Sequence, residues 1–257
     1  MIELQKINDH ICYFKVPYKD IFVGIYILRT EKGTVLFDTA ACDEDVDNYI
    51  VPALQQLSVE PTHIFISHHH KDHSGGLARA AEVFPNAQIW SRSTALKEQY
   101  PNIHCHEDGE LLLDVLQIVT IPGHTTDSAA LLDTRTNILV SGDCLQLYGI
   151  FGSGYWYGNI GMPIEHYAAI EKLRTLPIKT ITTAHDYCPG GMTYAGKEQV
   201  KLCLDSCVDA LQRIRDMAKE NSELDNEQLS QLCNDGTYPK VSARIVGILR
   251  NLDKENN

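Results

Sequence analysis

Four side chains with lone pairs or negative charge fall within six residues: His68, His70, Asp72 and His73, in the stretch Ser67-His68-His69-His70-Lys71-Asp72-His73-Ser74-Gly75-Gly76. Imidazole and carboxylate together suit zinc, iron and manganese. The apolar run Thr62-His63-Ile64-Phe65-Ile66 just before them reads as a strand over 62–67. Side chains alternate faces along a strand, so His68 and His70 are expected to face one way together. Asp72 and His73 come after the strand has ended. There Gly75 and Gly76 let a helix start close by, so the pair can approach the same cavity from another side. Six residues thus carry the makings of two metal half-sites.

Histidines also cluster by chance, and what separates the readings is whether more ligands arrive from elsewhere. They arrive three times. Leu116–Ile121 is rich in β-branched residues and runs into Pro122-Gly123-His124-Thr125; Asn137–Ser141 runs into Gly142-Asp143; Lys179–Ala184 runs into His185-Asp186. In each case an apolar strand delivers a His or Asp at its C-terminal end, where loops can converge. Four strand ends therefore supply seven candidate ligands. His69 and Lys71 lie between ligands and stay unassigned, and His10, His63, His104, His106 and His166 have no ligand-like context and read as structural or surface groups.

On these motifs the chain resembles the metallo-β-lactamase fold superfamily, over roughly residues 10 to 190. The family's His-x-His-x-Asp-His pattern is matched by His68, His70, Asp72 and His73, its next histidine by His124, its bridging Asp by Asp143 and its last histidine by His185. The resemblance implies that His68, His70 and His124 hold a first metal, that Asp72, His73 and His185 hold a second, and that Asp143 bridges them. It also matches Asp38, at the end of Val35-Leu36-Phe37, to an Asp that orients ligands from behind, the support that metal-bound histidine usually needs. The implied fold is an α/β, four-layer αβ/βα sandwich of two mixed sheets with the metals at one edge.

The pattern of elements agrees. Strands are expected over 10–16, 22–29, up to Asp38, over 62–67 and 87–91, and repeatedly from 110 to 142. Helices are expected over 43–57, begun by acidic residues that suit its positive end, and near 75–83, 93–99 and 163–175. From about 195 the pattern turns helical: Val200, Leu204, Val208, Leu211 and Ile214 keep helical spacing, as do Val241, Ile245, Ile248, Leu249 and Leu252. The chain is accordingly divided into a catalytic unit, 1–194, and a helical segment, 195–257, that packs on it or forms a homodimer.

Composition narrows the partners. A chain of 257 residues with 44% hydrophobic residues can build a full core. Its formal net charge of -12 repels a phosphate backbone, and no basic tract offsets it, so nucleic acid is not expected as a partner. The start Met1-Ile2-Glu3-Leu4 lacks a basic segment followed by an apolar one, and no run of eighteen apolar residues occurs, which reads as a cytoplasmic protein without membrane association. Eight cysteines without a Cys-x-x-Cys pair read as reduced and mostly packed, Cys144 and the Cys203/Cys207 pair among them.

Two divalent ions, zinc by preference with iron or manganese as alternatives, would acidify a bridging water and polarise the bond under attack. The function expected is hydrolysis of an ester, thioester, lactone or related bond in a small molecule, by the bridging hydroxide. Asp72 counts among the catalytic groups as well as the ligands. Tyr148 and Tyr187 are added by analogy with relatives that use a tyrosine on the oxyanion. Five aromatics within 145–162 could flank a substrate. The motifs look closest to the glyoxalase II type and then to N-acyl homoserine lactone lactonases, although the tail lacks the basic residues with which glyoxalase II holds glutathione. A mono-iron persulfide dioxygenase and a non-catalytic metal-binding sensor are the alternatives.

Overall fold

The computed structural model describes residues 1–145, 147, 162–186, 191–233 and 241–252. A first sheet is formed by β1 (Gln5–Lys6), β2 (Ile11–Tyr18), β3 (Ile21–Arg29), β4 (Thr34–Phe37), β5 (His63–Phe65) and β6 (Gln88–Trp90), side by side in that order. The second has β7 (Leu111–Leu112), β8 (Leu116–Thr120), β9 (Ala129–Asp133), β10 (Ile138–Val140), β11 (Thr180–Thr182) and β12 (Thr193–Ala195), again in sequence order. Both are mixed: β4, β5 and β6 run parallel, as do β10 and β11, and the other neighbours are antiparallel.

Helices cover the outer faces. On the first sheet these are α1 (Asp43–Asp45) and α2 (Val51–Leu57), joined by a π-helical stretch Val46–Ile50, then α3 (Lys71–Ser74), α4 (Leu77–Val83) and α5 (Thr94–Gln99). On the second, α6 (Pro163–Thr175) and α7 (Lys197–Glu220) are joined by α8 (Asn226–Cys233) and α9 (Ala243–Leu252). One α-helix was expected over 43–57. Pro52 has no N–H to give to a carbonyl one turn back, and the wider turn just before it accommodates that gap.

The layers follow from alternation along the strands. In β3, Val23, Ile25 and Ile27 face outward onto Val46, Ile50 and Leu54, while Tyr26 and Leu28 face inward. Inward with them are Phe37 and Phe65, which meet Ile118, Leu131 and Val140 of the second sheet. Both faces are covered, so these strands read as unbroken apolar runs rather than alternating ones. Phe37 and Phe65 stack at 5.4 Å beneath the strand ends that lead to the histidines. Each fully buried aromatic of this kind contributes roughly 1.5–3 kcal/mol over an exposed one.

The sheets are tied directly at the edge where the ligands emerge. The Tyr26 hydroxyl donates to the Thr183 carbonyl at 2.6 Å, Gly24 N–H donates to the Ala184 carbonyl at 2.7 Å, and Ala129 N–H to the Ser67 carbonyl at 2.9 Å. The C-terminal helices close the far side. α7 lays Val200, Cys203, Leu204 and Cys207 on the second sheet and α6, then uses Leu211, Ile214 and Ala218 to form a core with α8 and α9. Cys144 is packed in the same layer as Cys203 and Cys207. No described helix is long and apolar enough to cross a membrane.

Candidate metal centre

Strand β5 ends at Phe65, two residues earlier than expected, so His68 and His70 do not share a face of a strand. They lie on an extended loop that must bend sharply, because the His70 carbonyl accepts from the Ser74 N–H and starts α3. The bend brings the rings of His68 and His70 to 4.6 Å and those of His68 and His73 to 4.3 Å, an approach that a straight strand does not allow.

The remaining ligands reach this loop from the second sheet, in the manner expected. β8 leads to His124, β10 to Asp143 and β11 to His185. Gly142 makes a close approach to that loop: its φ is +55°, and a Cβ there would lie 2.9 Å from the Cβ and Oγ of Ser67. The strand end carrying Asp143 can sit against the histidine loop only because this position has no side chain. Gly123, before His124, is tighter still, since a Cβ would fall 2.5 Å from Nδ1 of His166.

Two groups result. Ring nitrogens of His68, His70 and His124 converge, with His124 Nε2 3.2 Å from His68 Nε2 and 2.9 Å from His70 Nδ1. Beside them, Asp72, His73, Asp143 and His185 bring one ligand atom each to within 4.8 Å of one another. Asp143 lies between the groups: Oδ2 is 3.8 Å from His124 Nε2 and 3.4 Å from His73 Nε2, and Oδ1 is 3.2 Å from His185 Nε2. His68, His73, His124, Asp143 and His185 are buried, whereas His70 and Asp72 are partly exposed and mark the mouth.

Groups behind the ligands fix their protons. Asp38, fully buried at φ 67°, accepts at Oδ1 from Ser67 N–H (2.7 Å) and at Oδ2 from Ser67 Oγ–H (2.9 Å) and His73 Nδ1–H (2.7 Å). With its hydroxyl hydrogen spent on Asp38, Ser67 Oγ accepts from His68 Nδ1–H at 3.0 Å. His185 donates its Nδ1–H to the Phe22 carbonyl at 2.6 Å. With Nδ1 committed in all three rings, Nε2 is the nitrogen each would turn to a metal. Asp38 thus stands where the resemblance placed it, while Ser67 as the relay to His68, and the Phe22 carbonyl, carried no signal in the sequence. His69 is held by Asp127 at 2.9 Å, a partner 58 positions away.

Electrostatics separate the two groups. Burial pushes His68 well below the ordinary histidine value, reinforced by its neighbours His73 and His124, and burial likewise lowers His70. Lowered values favour the neutral rings, the form that can bind a metal. His73 and His185 go the other way. Burial opposes it, but Asp143, Asp38 and Asp72 together hold His73 well above its ordinary value, and Asp143 and Asp72 raise His185 to about 9. Burial alone would raise Asp143, yet His185 and His73 pull it well below the usual carboxylate range. Three carboxylates in a buried pocket form a well for positive charge, with Asp143 and Asp72 facing the buried Nε2 of His73 at 3.4 and 3.7 Å. A nitrogen trio beside a mixed carboxylate–imidazole quartet fits two divalent ions.

Tyr148 and Tyr187, and most of the aromatic stretch expected to flank the substrate, lie outside the described residues. His106 and His166 are buried structural histidines, as expected, each pushed down to about 4 by burial.

Two six-stranded mixed sheets under helices, with His and Asp ligands gathered at one sheet edge, define a metal-binding αβ/βα sandwich. The metallo-beta-lactamase superfamily model matches residues 20–185, and the chain belongs to that superfamily. It is 29% identical over 201 residues to the hydroxyacylglutathione hydrolase of Prochlorococcus marinus, covering 76% of this chain and 72% of that one. It is 27% identical over 175 residues to the hydroxyacylglutathione hydrolase of Synechococcus sp., covering 66% of each. The chain thus spans about two thirds of the length of such relatives. Among solved structures, the metallo-beta-lactamase FIM-1 from Pseudomonas aeruginosa in its mono-zinc form superposes with a TM-score of 0.63 at 17% identity, over 81% of this chain and 96% of that one. The family and the two ligand groups together indicate divalent metals.

Proposed function

We propose that the protein is a binuclear metal-dependent hydrolase that cleaves an ester, thioester or lactone in a small molecule. The observation that carries this reading is the position of Asp143, within 4 Å of ligands in both groups. His68, His70 and His124 would hold one ion, Asp72, His73 and His185 the other, with Asp143 shared, and zinc is the metal that suits this donor set best. Bound there, the pair of ions supplies an acidified water and a Lewis acid for the carbonyl oxygen.

The chain's own residues do the rest. Asp38, Ser67 and the Phe22 carbonyl hold the Nδ1 protons of His73, His68 and His185, so the rings cannot turn or exchange tautomers during turnover. Asp72 is the carboxylate with solvent access, its side chain 14% exposed, and it handles the proton as water is consumed. Tyr148 and Tyr187 are proposed as hydrogen-bond donors to the oxyanion. The hydroxyacylglutathione hydrolases among the relatives support a thioester as the first substrate to try.

The test is turnover by zinc-loaded protein on thioesters, lactones, β-lactams and phosphodiesters, with Asp143→Asn beside it. Turnover of a thioester or lactone, lost at least 100-fold in the variant, is expected. Full metal loading with no turnover on any of them would leave a binding protein, and one iron per chain with oxygen uptake would make it a dioxygenase.

A further inference from the structure

At the end of the second sheet opposite the metal centre, α6 and α7 part to leave a groove of about 700 Å³. Its place follows from topology: β11 carries His185 beyond its C-terminal end, whereas the groove is lined by Lys179 and Thr180 where β11 begins. The volume falls within the roughly 300–1,000 Å³ of small-molecule sites. Leu173 from α6 and Val200 and Leu204 from α7 form its apolar floor.

The lining is one-sided in charge. Arg174, Lys179, Lys197 and Lys201 border the groove, and among the described residues no acidic or aromatic side chain lines it. That is four of the 22 cations of a chain whose net charge is -12. Arg174 and Lys201 are already paired, with Glu171 and Asp205 just outside the groove. Lys179 and Lys197 form no ion pair among the described residues. Their backbones are held close, because Gly196 N–H donates to the Lys179 carbonyl at 2.8 Å, so both side chains leave from the same stretch of the rim.

An aliphatic floor without a ring to stack on does not suit a nucleobase, and two unpaired ammonium groups at the rim ask for one compact negative charge. We infer that this groove binds a free aliphatic carboxylate of medium chain length, its tail on Leu173, Val200 and Leu204 and its head between Lys179 and Lys197. The site is separate from the hydrolytic centre and stands whether or not the hydrolase reading does.

The test is methyl NMR of the metal-loaded full chain titrated with decanoate, with decanol and with anionic phospholipid vesicles, in the wild type and in Lys179→Gln/Lys197→Gln. Both lysines are exposed, so the double variant should fold normally. Saturable shifts at the methyls of Leu173, Val200 and Leu204 are expected with decanoate. Affinity should fall at least fivefold with decanol and at least fivefold in the double variant, and should rise about fourfold for each methylene added from hexanoate to decanoate. The inference is overturned by shifts confined to the metal centre, by equal affinity for decanol, by an unchanged double variant, or by binding to vesicles without binding of soluble decanoate.

Discussion

Replacing Asp38 by Asn isolates what the buried carboxylate does behind the metal centre. The backbone at φ 67° suits Asn as well as Asp, so the left-handed turn is kept. What changes is the reception of three donors: Ser67 N–H and Oγ–H and His73 Nδ1–H, at 2.7, 2.9 and 2.7 Å. The amide oxygen can still take Ser67 N–H. Its NH2 group then meets two donors where Oδ2 stood. Ser67 can rotate its hydroxyl and accept instead, but His73 Nδ1–H has no such freedom. The ring must move or shift its proton to Nε2, the nitrogen that faces Asp72 and Asp143.

Losing a hydrogen bond to a charged group costs about 1.5–3 kcal/mol, which converts to a factor of roughly 10–150. Metal affinity at the group of His73 should therefore fall about 10–100-fold, while that of His68, His70 and His124 falls less, because Ser67 can still receive His68. Competition between the metal-stripped protein and a chromophoric chelator measures both affinities, with circular dichroism as the check on folding. A folded D38N protein that takes up its second equivalent with wild-type affinity would refute the reasoning from tautomers.

Three further outcomes are expected. Gly142→Ala places a Cβ 2.9 Å from Ser67 at a φ of +55°, and should cost about 1–3 kcal/mol in chemical denaturation and weaken metal binding as well. His106, whose folded value of about 4 lies below its ordinary 6.5, is protonated more readily in the unfolded chain; its stabilisation is complete above pH 6.5 and is lost as pH falls toward 4, by up to about 3 kcal/mol. Denaturation at pH 7 and pH 4.5 should show His106→Phe losing less stability on acidification than the wild type, and parallel losses would remove this explanation. His185→Gln should leave about one tightly held ion per chain by elemental analysis, because His68, His70 and His124 remain; two tightly held ions would contradict the grouping.

Much of the centre was legible because its ligands sit at strand ends, and strand ends are visible as apolar, β-branched runs that stop at Gly, His or Asp. The seven side chains at 68, 70, 72, 73, 124, 143 and 185 do meet. Their approach was less legible. Alternation along a strand stops being a guide beyond Phe65, because the chain leaves the sheet before His68 and His70, and only a bent loop lets His68 and His73 come together. Contacts made through tertiary closure left no local trace, as with Asp127 on His69 or the Phe22 carbonyl on His185. The groove between α6 and α7 was equally hidden, for Lys179 and Lys197 are neighbours only once Gly196 has docked on the start of β11.

The histidine loop belongs to one half of the sandwich, whereas His124, Asp143 and His185 belong to the other. Any ion seated among them would therefore also be a rivet through the seam between the two halves, added to the backbone bonds, the Tyr26 hydroxyl and the His69–Asp127 and His185–Phe22 contacts that already cross it. An ion present at a thousand times its dissociation constant adds about 4 kcal/mol to the folded state. Durability of the protein in its surroundings would then track metal supply, and a chain stripped of its ions would lose turnover and the tie across that seam together, opening its interior to proteases.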